Sequence, residues 1–210
     1  MEKITILNHA LLKHKMSIIR DKNTKTKEFR QTVSEIGSLI AYEVTKDLAL
    51  KEVTIETPIC KTKCETLAKD IVIIPIMRAG MGMVDGFINV IPEARVGHIG
   101  LYRDEETLLP HTYYEKFPDN FTEATILLVD PMLATGGSVI AAVDILKKHG
   151  CKEITYVGLV GAPEGLEAIT KTHPDVRVYL GTLDEKLNEN GYIVPGLGDC
   201  GDRQAGFRAL

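Results

Sequence analysis

Residues 126–146 read ILLVDPMLATGGSVIAAVDIL. The apolar run 126–129 has the length and continuity of a buried strand, and Asp130 follows it directly. A small-residue turn comes next, Ala134-Thr135-Gly136-Gly137-Ser138. Val139, Val143 and Leu146 then recur on one helical face, and Gly150 is placed to end that helix. In an open parallel sheet, ligands bind outside the carboxyl ends of the strands, so Asp130 is expected at that edge. The turn offers successive backbone N–H groups and two hydroxyls at a helix N-terminus, where the dipole and the unpaired donors favour an anion such as a phosphate monoester. The lysine of the nucleoside-triphosphate loop GxxxxGK[ST] is absent, and there is no GxGxxG dinucleotide turn. An ordinary strand-to-helix turn capped by Thr135 or Ser138 would require neither Asp130 nor paired glycines, so the phosphate reading is preferred.

Working outward, 71–76, 96–101, 154–160 and 176–180 are further short apolar runs, and Phe29, Val33, Ile36, Ile40 and Val44 recur at helical spacing. Strand alternating with helix predicts an α/β fold with a mainly parallel sheet flanked by helices on both faces. Two stretches break the rhythm. Residues 102–124, YRDEETLLPHTYYEKFPDNFTEA, carry Pro110 and Pro118 and no sustained period, which predicts a long excursion from the sheet with a short hairpin around Pro110. The tail holds Gly191, Gly196, Gly198, Gly201 and Gly206, a composition that predicts a shaped loop close to a ligand.

The chain has 210 residues, 44% of them apolar and 26% charged, which predicts one globular domain over 1–210 that buries roughly 70% of its unfolded surface. No window approaches the ~20 apolar residues needed to span a bilayer, so no membrane role is expected. Lys and Arg total 25 against 29 Asp and Glu, a formal charge of −4, a poor match for nucleic acid as main partner. Cys60, Cys64, Cys151 and Cys200 show no disulfide or zinc spacing, and the N-terminus lacks a secretory pattern, so a cytoplasmic location is expected.

Two arginines sit where strands should end. Arg78, beside Gly80, can present a permanent planar cation to a pyrophosphate. Arg103 opens the 102–124 excursion; on residues alone it serves equally well as a partner for Asp104 or Glu105. The glycine-rich tail could instead simply pack the terminus. His9, His14, His98, His111, His149 and His173 have no metal or triad spacing. Lys13, Lys15, Arg20, Lys25, Lys27 and Arg30 form a mixed basic face, most simply a solvated helix surface.

DPMLATGGS at 130–138 resembles the ribose-phosphate motif of the uracil phosphoribosyltransferases. The resemblance continues through HKMSIIRDKNTKTKEFR at 14–30, PIMRAGMGMVDG at 75–86, GLYRDEETLLP at 100–110 and YIVPGLGDCGDR at 192–203. It implies a type I phosphoribosyltransferase fold with a hood from about 1–30 and 181–210 and a long flexible loop over about 102–124. It further implies conversion of uracil and 5-phospho-α-D-ribose 1-diphosphate (PRPP) to UMP and diphosphate in pyrimidine salvage. By the same resemblance, Asp130, Pro131, Met132, Leu133, Ala134, Thr135, Gly136, Gly137 and Ser138 bind the donor's phosphate and ribose, and Arg78 and Arg103 its pyrophosphate. Ile193, Gly198, Asp199 and Cys200 meet uracil, with Asp199 also facing the donor. The catalytic residues implied are Asp130, Arg103 and Asp199, with Mg²⁺ held mainly by PRPP itself rather than by a protein metal site. GTP activation at the basic face and a homodimer or higher homo-oligomer complete the set.

This chain departs from the family pattern in two places. Cys200 stands where alanine is usual, and Gln204-Ala205-Gly206-Phe207 replaces an aliphatic, aromatic, glycine, threonine run behind the base pocket. The alternatives are a phosphoribosyltransferase for another base, such as xanthine or orotate, and a pyrimidine-sensing RNA-binding regulator on the same fold.

Overall fold

The computed structural model describes residues 3–103 and 110–207, the side chains of Arg103 and Pro110 excepted. In chain order the elements are β1 (Ile4–Ile6), α1 (Ala10–Arg20), α2 (Thr26–Thr45), β2 (Leu50–Glu56), β3 (Lys61–Leu67), β4 (Ile71–Met77) and α3 (Met81–Val90). There follow β5 (Arg95–Val96), β6 (His98–Arg103), β7 (Pro110–Lys116), β8 (Thr125–Val129), β9 (Met132–Leu133) and α4 (Gly137–Lys148). The chain closes with β10 (Ile154–Gly161), α5 (Pro163–Thr172), β11 (Arg177–Leu183), β12 (Lys186–Leu187), β13 (Ile193–Val194) and α6 (Cys200–Ala205).

The main sheet runs β1-β11-β10-β8-β4-β6-β7, with β5 beside β4 and β9 beside β10. Every pairing in it is parallel except β6 with β7. The central strands are apolar throughout because both of their faces are covered. Ile71, Ile73, Leu127, Val129, Val157 and Leu159 share one cluster with Ile19 of α1, Phe29, Val33 and Ile36 of α2, and Met83 and Phe87 of α3. The alternate residues Val72, Ile74, Ile126, Leu128, Tyr156 and Val178 share another with Val139, Val143 and Leu146 of α4 and Ile169 of α5. Each fully buried aliphatic side chain contributes roughly 1.5–3 kcal/mol, so a one-residue register slip, which would swap the two sets, is strongly disfavoured.

Helix α3 docks closely on α2. A Cβ on Gly86 would run into the Ser34 carbonyl, and Ser38 Oγ donates to the Gly86 carbonyl at 2.8 Å. That docking sets where the turn between β4 and α3 can lie.

Three regions differ from the sequence-based expectation. The excursion expected at 102–124 is in part regular: β7 pairs antiparallel with β6 from Pro110 to Lys116, and a 3-10 turn covers Phe121–Glu123. Thr112, Tyr113 and Tyr114 are good strand formers, and no apolar alternation marks them because β7 is a sheet edge, with Tyr113 53% and Tyr114 46% exposed. Residues 104–109 lie outside the described residues. The second difference is the antiparallel hairpin of β2 and β3, which the sequence reading did not identify. It is exposed along nearly its whole length, so the buried-strand pattern is missing. Finally, Ile4–Ile6 pairs with β11 at the sheet edge, a strand that the sequence reading did not identify.

Candidate active site

The carboxyl ends of β4 and β8 carry Arg78 and Asp130. Asp130 donates its backbone N–H to the Val157 carbonyl at 3.1 Å, and its own carbonyl accepts from Tyr156 Oη at 2.9 Å. Tyr156 is fully buried, and it fits because residue 158 is glycine: a Cβ there would stand 2.8 Å from the tyrosine hydroxyl. The Asp130 carboxyl is pushed up to about 8, first by burial and then by the charge of Asp199. Two carboxyl groups therefore face one small volume, an arrangement suited to a cation or to developing positive charge.

The turn after Asp130 is shaped by glycine. Gly136 has φ +85°, occupies the N-cap position of α4 and so brings no capping side chain to that helix end. A Cβ at Gly136 would come within 3.1 Å of the Gly165 carbonyl and 3.2 Å of Ala168 Cβ, so α5 and the turn pack at a distance only glycine allows. Gly137 and Ser138 are half-buried and Thr135 is exposed, leaving the α4 N-terminus open to an anion. Pro131 and Leu133 are buried against β10. The Pro131 carbonyl accepts from the N–H groups of Leu159 and Val160, and the Leu133 carbonyl from Ala162.

The tail is held from a distance. Arg20 of α1 binds both Asp184 oxygens, at 2.8 and 2.5 Å, and donates to the Gly196 carbonyl at 2.7 Å. The same Asp184 accepts from the Gly196 N–H at 2.8 Å. Arg203 of α6 lies over the Phe29 ring, 4.3 Å from its centroid, and donates to the carbonyls of Leu197, Asp21 and Ile19. Gly196 and Gly198 take φ of +61° and +76°, and the Val194–Pro195 peptide is cis. Asp199 caps α6, its Oδ1 accepting from Asp202 N–H at 2.7 Å. Burial pushes the Cys200 thiol up to about 12, so it stays protonated and unreactive.

These elements enclose a cavity of about 270 Å³ lined by Ala79, Asp130, Met132, Ala134, Gly191, Tyr192, Ile193, Gly198, Asp199, Cys200 and Gly201. Of the sequence-selected residues, Asp130, Met132, Ala134, Ile193, Gly198, Asp199 and Cys200 meet here, whereas Pro131, Leu133 and residues 135–138 do not line this cavity. Arg78 does not line this cavity. It borders a neighbouring one of about 360 Å³ with Arg30, Asp85 and Gln204, and the two cavities share Ala79 and Gly201. The turn carrying Arg78 includes a cis Met77–Arg78 peptide and is pressed onto the sheet at Gly80, where a Cβ would lie 2.5 Å from the Val129 carbonyl. Arg103 ends β6, and its side chain lies outside the described residues.

Sequence reading passed over Tyr156 and Asp184, and gave no site role to Arg203 or Gln204. Tyr156 was one more strand residue. Asp184 has no motif around it. Arg20 was noticed only as part of a basic face. The one available signal was the Gln204–Phe207 departure, whose meaning required knowing what the helix packs on.

A mainly parallel sheet flanked by helices, with an acid and a glycine-bent turn at one strand end, is the architecture of the type I phosphoribosyltransferases. The fold alone is shared with a hypoxanthine-guanine phosphoribosyltransferase from Bacillus anthracis, at TM-score 0.51 and 13% identity over 76% of this chain and 80% of that one. A solved structure from Aquifex aeolicus is far closer, at TM-score 0.92 and 39% identity, covering 97% of this chain and 98% of the other. The family model described as uracil phosphoribosyltransferase matches residues 6–206. Relatives named uracil phosphoribosyltransferase include one from Acholeplasma laidlawii, 59% identical over 99% of this chain and 100% of its own length. Another, from Ligilactobacillus salivarius, is 58% identical over the same shares. The chain belongs to the uracil phosphoribosyltransferase family.

Proposed function

We propose that the chain transfers the phosphoribosyl group of PRPP to uracil, releasing diphosphate and UMP in pyrimidine salvage. The observation that carries this is the small cavity that Asp130, Met132 and Ala134 of the turn after β8, and residues 191–193 and 198–201 of the tail line together. The α4 N-terminus suits the 5-phosphate, and the backbone of Ile193 and of Gly198, Asp199 and Cys200 suits the polar edge of a pyrimidine. As the glycosidic bond to diphosphate breaks, positive charge builds on the ribose ring. Asp130 in its ionised form offsets that charge and accepts from the ribose hydroxyls. Arg78 and Arg103 are assigned to the departing diphosphate, Arg78 on its position at a strand end and Arg103 on family resemblance. The tail loop aims the uracil nitrogen at the anomeric carbon.

The family reading brings Mg²⁺ with the donor, and Asp130 and Asp199 fit it as hard oxygen donors whose mutual repulsion a divalent ion relieves. On the family reading the ion is held mainly by PRPP oxygens rather than by a protein metal site. When bound, Mg²⁺ neutralises charge on the leaving diphosphate.

Two further assignments belong to this reading. A cavity of about 600 Å³ lined by Lys22 and Lys25, with Arg20 already paired to Asp184 and Arg203 bound to backbone carbonyls beside them, together with Thr24, Thr26 and residues 195–198 of the tail loop, supports GTP as an activator, because the two lysines suit a triphosphate. The hairpin of β2 and β3 supports a homodimer or higher homo-oligomer, since Leu50, Ile55 and Ile59 are 53%, 43% and 91% exposed. All four cysteines are free, in keeping with a reducing cytoplasm.

The test is conversion of labelled uracil to UMP. Product is expected only when PRPP and Mg²⁺ are both supplied, with xanthine and orotate at least a hundredfold poorer substrates. Turnover of another base at an equal rate would reject the specificity, and no turnover of any base would reject the reaction.

A further inference from the structure

Gln204 stands between the two cavities of the site. Its Nε2 donates to the Ala79 carbonyl at 3.1 Å and meets Cys200 Sγ at 3.1 Å. Ala79 follows Arg78 in the turn after β4, and Cys200 opens the helix whose first residues close the base-sized cavity. The amide occupies space that exists because residue 82 is glycine; a Cβ there would collide with it. Arg30 Nε anchors the backbone of the same residue, donating to the Gln204 carbonyl at 2.5 Å. An amide that ties one carbonyl of the Arg78 turn to the first residue of α6 makes a shift of either segment a shift of both.

We propose that Gln204 is a positioning residue that couples the two halves of the site, so that an anion at the Arg78 turn and a pyrimidine nucleotide under α6 each tighten the other's binding through the Gln204–Ala79 hydrogen bond. This rests on the functional reading above. Coupling between sites is reciprocal, and through one two-ended contact it is expected at the lower end of the usual 5–150-fold range. It is a property of this chain's own tail, because an aliphatic side chain at position 204 could pack there but could not donate to a carbonyl.

The experiment is calorimetric titration of UMP into the full-length protein, with and without saturating magnesium diphosphate. The unaltered protein is expected to bind UMP about fivefold or more tightly with diphosphate present. In Gln204→Met, which keeps length and loses both donors, the enhancement should fall below twofold while UMP affinity alone changes less than threefold. Gly82→Ala, which displaces the amide without deleting it, should give the same loss, and far-ultraviolet circular dichroism would verify that both variants are folded. Enhancement retained in both variants, or absent from the unaltered protein, would overturn the coupling. Failure of the unaltered protein to bind UMP at all would instead overturn the functional reading beneath it.

Discussion

The turn after β8 and the loop before α6 both line the same cavity, yet they are held in opposite ways. Residues 130–138 are shaped by their immediate surroundings: a buried strand delivers Asp130, Gly136 turns the chain at φ +85°, and α4 begins. Residues 191–201 have little regular structure beyond the two-residue strand β13, and their shape comes from Arg20 and Phe29, more than 160 positions earlier, together with Asp184. A site half of which is locally encoded and half tertiary can lose either half separately, and substitutions should reveal this as different kinetic signatures.

The largest effect is expected at the local half. Asp130→Asn should lower kcat/KM for PRPP on the order of 10³-fold, the scale of losing one preorganised charge contact; a change under tenfold would remove Asp130 from the site. The carboxyl titrates near 3.8 when unfolded and near 8 when folded. Between those values the folded chain holds a proton the unfolded chain lacks, so Asp130's contribution to stability falls as pH rises from about 4 to about 8. Asn should therefore raise Tm at pH 8–9, at ~2–4 °C per kcal/mol regained, and leave it unchanged near pH 4. In the unsubstituted protein, kcat/KM for PRPP should climb with pH up to about 8, because the ionised form is the one that assists.

The tertiary half should respond next. Arg20→Met leaves the Asp184 carboxylate, with its side chain 4% exposed, without its cation. Losing one partner of a buried pair costs roughly 3–5 kcal/mol, and the quarter exposure of Arg20 puts this case at or below the lower end. KM for uracil should rise at least tenfold while KM for PRPP moves less than threefold, as measured by steady-state kinetics in both substrates. Equal changes in the two would show that the tail is not a separable unit.

The smallest effect sharpens the boundary between the halves. Tyr156→Phe removes one hydrogen bond to the Asp130 carbonyl, a change of about 1 kcal/mol. It should cost roughly fivefold in kcat/KM for PRPP and leave uracil KM alone. An effect on uracil KM of the same size would place Tyr156 behind both halves rather than one.

Legibility in the sequence follows the same division. The central strands and α2 could be read from apolar runs and helical spacing because both sheet faces and one helix face are buried, and burial is what writes a pattern. The hairpin of β2 and β3 was missed, and β7 was legible only as a short hairpin around Pro110 within an otherwise irregular excursion, since exposed strands leave no such trace. Asp130 and the 134–138 turn were identifiable as one contiguous unit. The tail could be recognised as a shaped loop from its glycines and family resemblance, but Asp184 and Arg203, which hold it, carry no local signal.

By itself, the order of residues determined the two-faced sheet and the glycine-bent turn after Asp130, since periodic burial and a strand-to-helix corner are properties of neighbours along the chain. Only the tertiary structure decided that Arg20 would seat Gly196, that Tyr156 would brace Asp130 and that Gln204 would reach Ala79. Those contacts join segments separated by up to 176 positions, and a hydrogen bond specifies its partner only once folding has brought donor and acceptor within about 3 Å.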